Sequence, residues 1–388
     1  MNLLKNTLLL ASLATAFSAK PMDRMVAPGG SGNIHPTIIS AIDAANSGDR
    51  IIIAPGVYPG NITINKSLTL LSNSTGQRYT INGSITFLHS AAQVTLTISS
   101  MRLNGAIYEN MTNVTGSIRI IDSVITGSVA ILGESGITCH LHRDSLLSYV
   151  QLTHGVVTGC HLTCDDLPSG YGAYEMAGFF GVPASARLIG NVIGKGASAT
   201  SGRMVFASPN GQFEIRNNLF VTNTASHTGP LVECPNTSLL TNEPNVFENN
   251  TMIHAGTGNP VFLRIDATST ALNLSVRNNL FVGSTQPVIS ASPSVQIAYN
   301  ITSMSTAQVD QNTGAPVPGS PAINGGDPDA LYTDLDLTRN DAGCYGGSFS
   351  RDNFDDPLTS SAAVLFLDAP RRTQAAYSMQ LKAEGFDR

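Results

Sequence analysis

One short pattern recurs five times between residues 187 and 303, and it constrains the fold more than any other feature of the chain. Each copy has apolar residues, then a polar step that ends in asparagine, then more apolar residues. The aligned asparagines, spaced by 27, 32, 29 and 21 residues, are Asn191, Asn218, Asn250, Asn279 and Asn300. Strand-like units too short to bury a face alone are stable only when each turn stacks on its neighbour. The pattern therefore predicts a solenoid in which the strands are fixed and the loops vary.

The composition supports one elongated domain rather than two globular ones. Of the 388 residues, 42% are hydrophobic and only 12% are charged, which argues against disorder and suits stacked sheets with uncharged polar ladders. Short strand-like runs bounded by Gly, Pro and Asn follow one another between residues 50 and 162. At one coil per roughly 20 to 30 residues, residues 50–347 would form about ten to thirteen coils.

Both ends of the chain are predicted to lie outside the coils. Residues 1–19 carry one charge, Lys5, before an apolar run and small residues, which is typical of a secretory signal too short to span a bilayer. Residues 20–32 are predicted to be a linker, residues 33–350 the solenoid, and residues 351–388 an extension that covers the last coil. Helical spacing at residues 37–45 predicts a short amphipathic helix that caps the first coil.

Export and charge narrow the range of partners. No later segment reaches 18 uncharged apolar residues, so the mature chain is expected to have no transmembrane segment and to be secreted, periplasmic or attached to the cell surface. The formal net charge of −6 falls by one when Lys5 is removed, which argues against nucleic acid as a partner.

The opening of the predicted solenoid carries residues that resemble a known family. Gly48 and Asp49 precede an apolar run, residues 54–58 read APGVY, and residues 66–70 read KSLTL. This order is similar to that of right-handed parallel β-helix proteins of the pectin-lyase-like superfamily, of the exported bacterial type, and the likeness extends to residues 319–347. The resemblance implies an all-β, single-stranded right-handed parallel β-helix with an N-terminal capping helix. It implies no particular activity, because the fold hosts lyases, hydrolases, esterases, epimerases and adhesins.

In stacked coils, aligned residues lie about 4.8 Å apart, so the alignment also predicts contacts. The asparagine column is expected to form a ladder in which side-chain amides bond to one another and to backbone groups at a bend. Arg216, Glu248 and Arg277 precede the asparagines by two positions and predict an outward column of alternating charge.

A second repeat, in which residues 138–145 and 159–166 align at a separation of 21, offers the best candidate for chemistry. If these segments occupy adjacent coils, they place three pairs side by side: Cys139 with Cys160, His140 with His161, and Asp144 with Asp165. Inward cysteines would form a buried thiol stack or a disulfide, which export and the rung spacing permit. Outward histidines would form an imidazole cluster next to carboxylates.

Such a cluster would be a structural ladder, a metal or acid/base site, or a polar contact for substrate. The residues that would carry catalysis are His140, His142, Arg143, Asp144, His161, Asp165 and Asp166. A Gly-rich, aromatic loop at residues 167–181 follows, and loops on rigid scaffolds often carry function, although this one would equally fold on its own aromatics. The residues that would bind a ligand are Tyr171, Tyr174, Glu175 and Lys195.

No cofactor is required by these motifs, and no metal ligand set is assigned. Calcium is the one ion for which a run of acidic residues offers oxygen ligands, without EF-hand spacing: Asp327, Asp329, Asp334, Asp336 and Asp341. The alternative is that these carboxylates tie down the Gly-rich turn that closes the solenoid.

The motifs favour no enzyme class. By the family resemblance, a lyase needs an Arg or Lys base beside calcium-held acids, and Arg143 and Lys195 are the only basic residues close in sequence to the cluster. The Gly-His-Gly and Arg-Ile-Lys motifs of polygalacturonases are missing, and the chain has no Trp for sugar stacking. We therefore expect a non-catalytic surface, adhesive or polysaccharide-binding scaffold that contacts an extracellular polysaccharide or a cell surface. The alternative is a polysaccharide lyase or glycoside hydrolase, in which an acid and a base converge in a groove.

Overall fold

Three parallel sheets, called A, B and C, contain nearly all of the strands. The computed structural model describes residues 21–88, 93–110, 114–132, 136–163, 172–176, 184–195, 202–207, 211–222, 227, 229–235, 245–266, 273–291, 294–355, 362–368 and 381–387. Each coil runs from a strand of sheet A to sheet B to sheet C and returns to sheet A, where it pairs with the preceding coil. This topology is a parallel β-helix, so the all-β solenoid predicted from the repeat is confirmed.

The strands of each sheet stack in chain order after the first coil. Sheet A contains Ile34–His35, Asp23–Val26, Arg50–Ile53, Thr69–Ser72, Gln93–Ser99, Thr115–Ile121, Gly136–His142, His154–Thr158, Ala184–Ile189, Gly211–Arg216, Asn245–Glu248, Leu274–Arg277 and Val295–Ala298. Sheet B contains Val57–Pro59, Tyr79–Asn82, Met101–Leu103, Val124–Ile125, Ser145–Leu146, His161–Thr163, Val192–Lys195, Leu219–Thr222, Thr251–His254, Leu280–Val282 and Ile301–Met304. Sheet C contains Ile62–Ile64, Ile85–Phe87, Ile107–Glu109, Val129–Ile131, Val150–Leu152, Tyr174–Met176, Val205–Phe206, Val232–Cys234, Leu263–Ile265 and Val288–Ser290.

Helical structure in the described residues is short. Helix α1 spans Ile38–Ala44, a 3₁₀ turn spans Thr306–Gln308, and helix α2 spans Asp352–Asp355. Thr37 begins α1, because its side-chain oxygen accepts the N–H of Ser40 at 3.1 Å. The apolar side of α1 is buried among the first strands, and its role as a cap over the first coil stays a prediction. None of the described helices has the length and apolar character needed to cross a membrane.

From the coil that begins at residue 93, one residue per coil makes the corner between sheets A and B by adopting the left-handed backbone region. Seven non-glycine residues do so with φ between 51° and 57°: Ser100, Asp122, Arg143, Asn217, Asn249, Asn278 and Tyr299. In two further coils glycine takes this place, and Gly159 and Gly190 have φ of 62° and 68°. Asparagine tolerates this region better than most residues, which explains the repeated Asn-Asn steps.

The residue after each bend belongs to a buried hydrogen-bonded column, called the corner ladder. Asn218 shows the pattern: its Oδ1 accepts the backbone N–H of Asn191 at 3.0 Å, and its Nδ2 donates to Leu188 O and to Asn250 Oδ1. The same bonds continue through Asn279 to Asn300. The predicted asparagine ladder is therefore confirmed.

The predicted charge column is also in register, although it is less exposed than expected. Arg216 pairs with Glu248 along sheet A, and Glu248 pairs with Arg277. Arg216 Nη1 lies 2.9 Å from Glu248 Oε2, yet Glu248 is only 3% exposed. The column is covered by the Gly-rich turn that closes the solenoid. Asp327 of this turn forms an ion pair with Arg277.

The structure corrects the prediction of a linker at residues 20–32. Asp23–Val26 is a strand of sheet A and pairs in parallel with Arg50–Ile53. Arg24 Nε bonds Asp49 Oδ2 at 2.9 Å, and Arg50 bonds Asp23. Cross-strand ion pairs and the buried Val26 thus hold a segment whose short, mixed sequence gave no strand signal.

The C-terminal part of the chain folds back along the coils. Val309, Ala342 and Cys344 pack against sheet B residues, and a hairpin of Ala362–Asp368 and Lys382–Asp387 follows. In the hairpin, Phe366 stacks on Phe349 at 5.6 Å between ring centroids, and Glu384 reaches sheet A. The described hairpin therefore contacts middle coils, whereas the sequence prediction placed residues 351–388 over the last coil.

Candidate functional site

The coils distribute the predicted site residues over three sheets instead of one groove. His140 and His142 lie on sheet A, Arg143 and Asp144 at the corner, His161 and Lys195 on sheet B, and Tyr174 and Glu175 on sheet C. Asp165, Asp166 and Tyr171 lie outside the described residues.

The predicted pairing of the two Cys-His segments is wrong. Cys139 lies opposite Gly155 and His140 opposite Val156, while His161 lies opposite Ser145 on another sheet. The offset between these coils is 16 residues rather than 21, because residues 138–142 form a strand whereas residue 159 already stands at the corner. Cys139 and Cys160 are both free and buried, and burial raises the pKa of each thiol.

Asp144 and Arg143 are parts of the corner. Asp144 Oδ1 accepts the N–H of Ser123 at 2.7 Å, and its own N–H donates to Cys160 Sγ at 3.3 Å. Cys160 in turn bonds Asn191, so the corner ladder extends upstream with three different residue types. Burial raises the pKa of Asp144 well above its ordinary value, despite the Ser123 hydrogen bond that opposes the rise. The Asp144 carboxyl group is fully buried inside the coil, so it cannot meet a substrate.

His140 and His142 both point outward from sheet A, and the hairpin supplies their partner. His142 Nε2 and His140 Nδ1 each lie 2.9 Å from Glu384 Oε2. The other ring nitrogen of His142 lies 2.6 Å from Thr158 Oγ1. Glu384 is 242 residues from His142, so neither spacing nor composition in the sequence pointed to it. We call these residues the His-His-Glu cluster.

The electrostatics of the cluster favour a carboxylate anion between imidazoles. Burial opposes the ionisation of Glu384, but the contacts with His140 and His142 hold its pKa far below the usual range. Burial lowers the pKa of His142, and the Glu384 carboxylate counteracts this only in part. Groups of this kind bind metal ions or transfer protons.

The predicted ligand residues of sheet C divide between its two faces. Tyr174 is completely buried, so its ring does not reach solvent and does not cover a sugar. Glu175, the next residue, faces outward, where it accepts hydrogen bonds from Gln151 Nε2 at 2.8 Å and from Arg203 Nη2 at 3.2 Å. Arg203 also contacts Glu233 at 3.1 Å, so one guanidinium joins two carboxylates.

These residues belong to a longer outward column on sheet C, called the sheet C row. In register from coil to coil, the row contains Thr63, Thr86, Tyr108, Ala130, Gln151, Glu175, Phe206, Glu233, Arg264 and Ile289. The Arg203 guanidinium lies over the Phe206 ring at 3.8 Å. Sequence reasoning found only Glu175, because irregular loops separate the strands and hide their periodicity.

Lys195 and His161 take no part in the His-His-Glu cluster. Lys195 Nζ donates to Gly202 O at 2.7 Å, and it lies in register with Thr222 and then His254. The buried imidazoles of His227 and His254 lie near Lys195. Burial, the Lys195 charge and His254 together lower the pKa of His227 to about 4. His161 is exposed on sheet B.

The acidic run closes turns in the described residues. Asp334 Oδ1 accepts the N–H of Gly347 at 2.6 Å, and Asp341 Oδ1 accepts that of Asn324 at 2.6 Å. These two and Asp336 line a cleft of about 550 Å³. Burial raises the pKa of Asp334 to about 6, against the Gly347 hydrogen bond. Calcium at this run stays a prediction.

Comparison with known proteins gives a likeness of fold. No protein-family model and no curated protein matches the sequence. Among solved structures, the chain is similar to pectate lyase Pel9A, with a TM-score of 0.42 and 13% identity over 85% of this chain and 97% of that one. It is also similar to the PL6 family alginate lyase AlyGC, with a TM-score of 0.32 and 13% identity over 73% of this chain and 52% of that one. Such likeness says nothing about activity.

Proposed function

We propose that this protein is an exported, non-catalytic scaffold that binds an extracellular polysaccharide along the sheet C row. The observation that carries the proposal is the row itself: ten residues in register on the outward side of sheet C. At about 4.8 Å for each rung, the row extends over roughly 40 Å. A repeating array of this length suits an extended polymer better than a small molecule, and solenoids commonly bind through such surfaces.

The chemistry of the row fits a carbohydrate. Tyr108 is 44% exposed and presents an aromatic face, while Gln151 and Arg264 offer side-chain donors. The charged members are paired: Arg203 joins Glu175 and Glu233, and Arg264 Nε bonds Asp266 Oδ1 at 2.8 Å. Because these charges nearly cancel, we expect a polysaccharide of low charge density and binding that changes little with salt.

The arrangement of the charges supports a scaffold over an enzyme. Arg203 holds both carboxylates of the row, and the His-His-Glu cluster lies on a different sheet. Catalysis requires an acid and a base that converge on one substrate position. In the described residues of the row, the ionisable groups form a ladder along the coils.

A glycoside hydrolase is the second candidate, and one observation favours it. Glu175 and Glu233 stand two rungs apart on the same face, which separates their backbones by roughly 10 Å. Carboxyl groups of inverting glycosidases lie about 6.5 to 9.5 Å apart. In that case Arg203 would have to release one carboxylate when substrate enters.

Affinity electrophoresis with neutral and uronate polysaccharides, with and without calcium, tests the proposal. We expect binding to a neutral polymer, weakened about tenfold or more by Tyr108→Ala and Arg264→Ala. The matched controls are Tyr299→Ala, an exposed tyrosine at the corner, and Arg102→Ala, an exposed arginine on sheet B; both should bind normally. Failure to bind any polymer, or equal loss in the controls, would overturn the proposal.

The same incubations separate the two candidates. A scaffold leaves the polymer intact, so neither reducing ends nor unsaturated ends should accumulate. Product that forms with the wild type and disappears in both Glu175→Gln and Glu233→Gln would establish the hydrolase instead.

Intact-mass measurement of protein from the culture medium tests export, because removal of residues 1–19 fixes the new N-terminus.

A further inference from the structure

The His-His-Glu cluster has the composition of a transition-metal site. The three ligand atoms, His140 Nδ1, His142 Nε2 and a Glu384 oxygen, all lie within 4.8 Å of one another. Ligands about 2.1 Å from a tetrahedral zinc ion are separated by roughly 3.4 Å, so only a small rearrangement is needed. Two imidazoles and one carboxylate are a ligand set that zinc accepts, and they leave the fourth position open.

The surroundings orient these ligands. His142 is fully buried, and its Nδ1 lies 2.6 Å from Thr158 Oγ1, which fixes the ring and directs Nε2 towards Glu384. A metal-binding histidine commonly has its second nitrogen held in this way. His140 remains 13% exposed, which leaves a route for an ion from solvent.

The charges near the cluster and the type of ligand atom determine which ions it favours. Arg119 lies beside His140 in sheet A and disfavours a cation, whereas the Glu384 anion favours one. Arg187, beyond Val156 in the same column, is already paired with Glu214 at 2.6 Å. Imidazole ligands select zinc-type ions over calcium and magnesium, which prefer oxygen.

We propose that His140, His142 and Glu384 bind one divalent zinc-type ion, which fastens the C-terminal hairpin to the middle coils. The hairpin is otherwise held in this region by aromatic contacts: Phe366 pairs with Glu384 across the hairpin, stacks on Phe349 and lies under the Arg187 guanidinium. The ion replaces the protons between the imidazoles and the carboxylate. It joins two parts of the chain that are 242 residues apart.

Metal titration of the full chain after chelator treatment tests the proposal. We expect calorimetry to show one Zn²⁺ per chain, and Co²⁺ to give the intense visible absorption of a four-coordinate site, while Ca²⁺ gives neither. Glu384→Gln keeps the size of the side chain and should weaken Zn²⁺ binding at least about tenfold, as should His140→Ala. Circular dichroism checks that both variants keep the sheet structure.

Two controls test the location of the ion. His161→Gln changes the exposed histidine that the sequence had grouped with this cluster, and His35→Gln changes one near the N-terminus; both should bind Zn²⁺ like the wild type. Equal affinity in Glu384→Gln and wild type would overturn the proposal. Loss of Zn²⁺ binding in His254→Gln alone would also overturn the proposal. That result would place the ion at the imidazoles near Lys195.

Hydrogen exchange tests whether the bound ion holds the C-terminal hairpin against the coils. Zn²⁺ should slow exchange of the amides in residues 382–387 of the wild type several-fold and leave Glu384→Gln unchanged. Slowing that is equal in both proteins would show that the ion does not act through Glu384.

Discussion

At the scale of single residues, the corner ladder shows how one position accepts several side chains. Ser123, Asp144, Cys160 and then asparagines occupy it, and each accepts the backbone N–H of the preceding coil. What the position requires is a small acceptor beside a buried bend. Asparagine meets this requirement best, because its Nδ2 also donates to a carbonyl of the preceding coil.

Asp144→Asn should stabilise the protein at neutral pH. The folded-state pKa of Asp144 is raised, so its destabilising effect is absent below about pH 3.9 and grows as pH rises from there towards the folded pKa. Asparagine keeps the acceptor for Ser123 and removes this dependence. In urea unfolding we expect the variant and the wild type to have similar free energies of unfolding at pH 3.5. Between the unfolded-state and the folded-state pKa of Asp144, the variant should gain about 1.4 kcal/mol over the wild type for each pH unit. Lower stability of the variant at pH 7 would contradict the structural role.

Asn250→Ala should be strongly destabilising. Its side chain accepts from Asn218 N and Nδ2 and donates to Ile215 O and Asn279 Oδ1, all between 3.0 and 3.1 Å. Removal leaves buried polar groups without partners, and we expect a loss of about 2 to 5 kcal/mol in the free energy of unfolding. The control is Asn259→Ala, an exposed asparagine bonded to Thr285, for which we expect less than about 1 kcal/mol. Equal losses would show that the ladder carries no special stability.

At the scale of elements, the turns between sheets B and C bring backbones together as closely as glycine permits. A Cβ at Gly105 would lie 2.2 Å from Gly83 O, and one at Gly127 would lie 2.4 Å from Gly105 O. The contact is with backbone, so no side-chain movement relieves it. These glycines therefore fix the register of successive coils.

Gly105→Ala should lower the unfolding midpoint far more than Gly194→Ala. Gly194 lies in a strand of sheet B with open space where a Cβ would stand, so alanine is expected to be neutral or slightly stabilising there. For Gly105→Ala we expect the free energy of unfolding to fall by about 1 to 3 kcal/mol, because the added methyl group overpacks the turn. Thermal unfolding of the two variants under one condition compares them, and similar midpoints would be inconsistent with the close approach.

At the scale of the whole molecule, each coil contacts chiefly its neighbours, so coils should be removable as units. Residues 101–122 make one turn, since Met101 and Ser123 are consecutive members of the corner ladder. Their deletion joins Ser100 to Ser123, two residues with the geometry of a normal corner step. The remaining strands would then meet partners in the register that the deleted coil had.

A chain without residues 101–122 should fold with the far-ultraviolet circular dichroism of the wild type and unfold cooperatively at a lower urea concentration. The matched control removes half a turn, residues 101–111, and should fail to fold, because the sheet A strand Thr115–Ile121 would then follow the corner directly and be forced into the position of sheet B. If the half-turn deletion were as stable as the full-turn deletion, the nearest-neighbour account would fail.

The sequence alone determined the solenoid and the asparagine column, because the same local geometry recurs in every coil and selects the same residue types. It did not determine the register at residues 139–161, because aspartate and cysteine stand at the corner position there in place of asparagine. Only the tertiary structure decided that Tyr174 is buried, that Glu175 meets Arg203 and Glu233, and that Glu384 meets two histidines. Those contacts depend on loop lengths and on how the tail folds back, and neither property repeats along the chain.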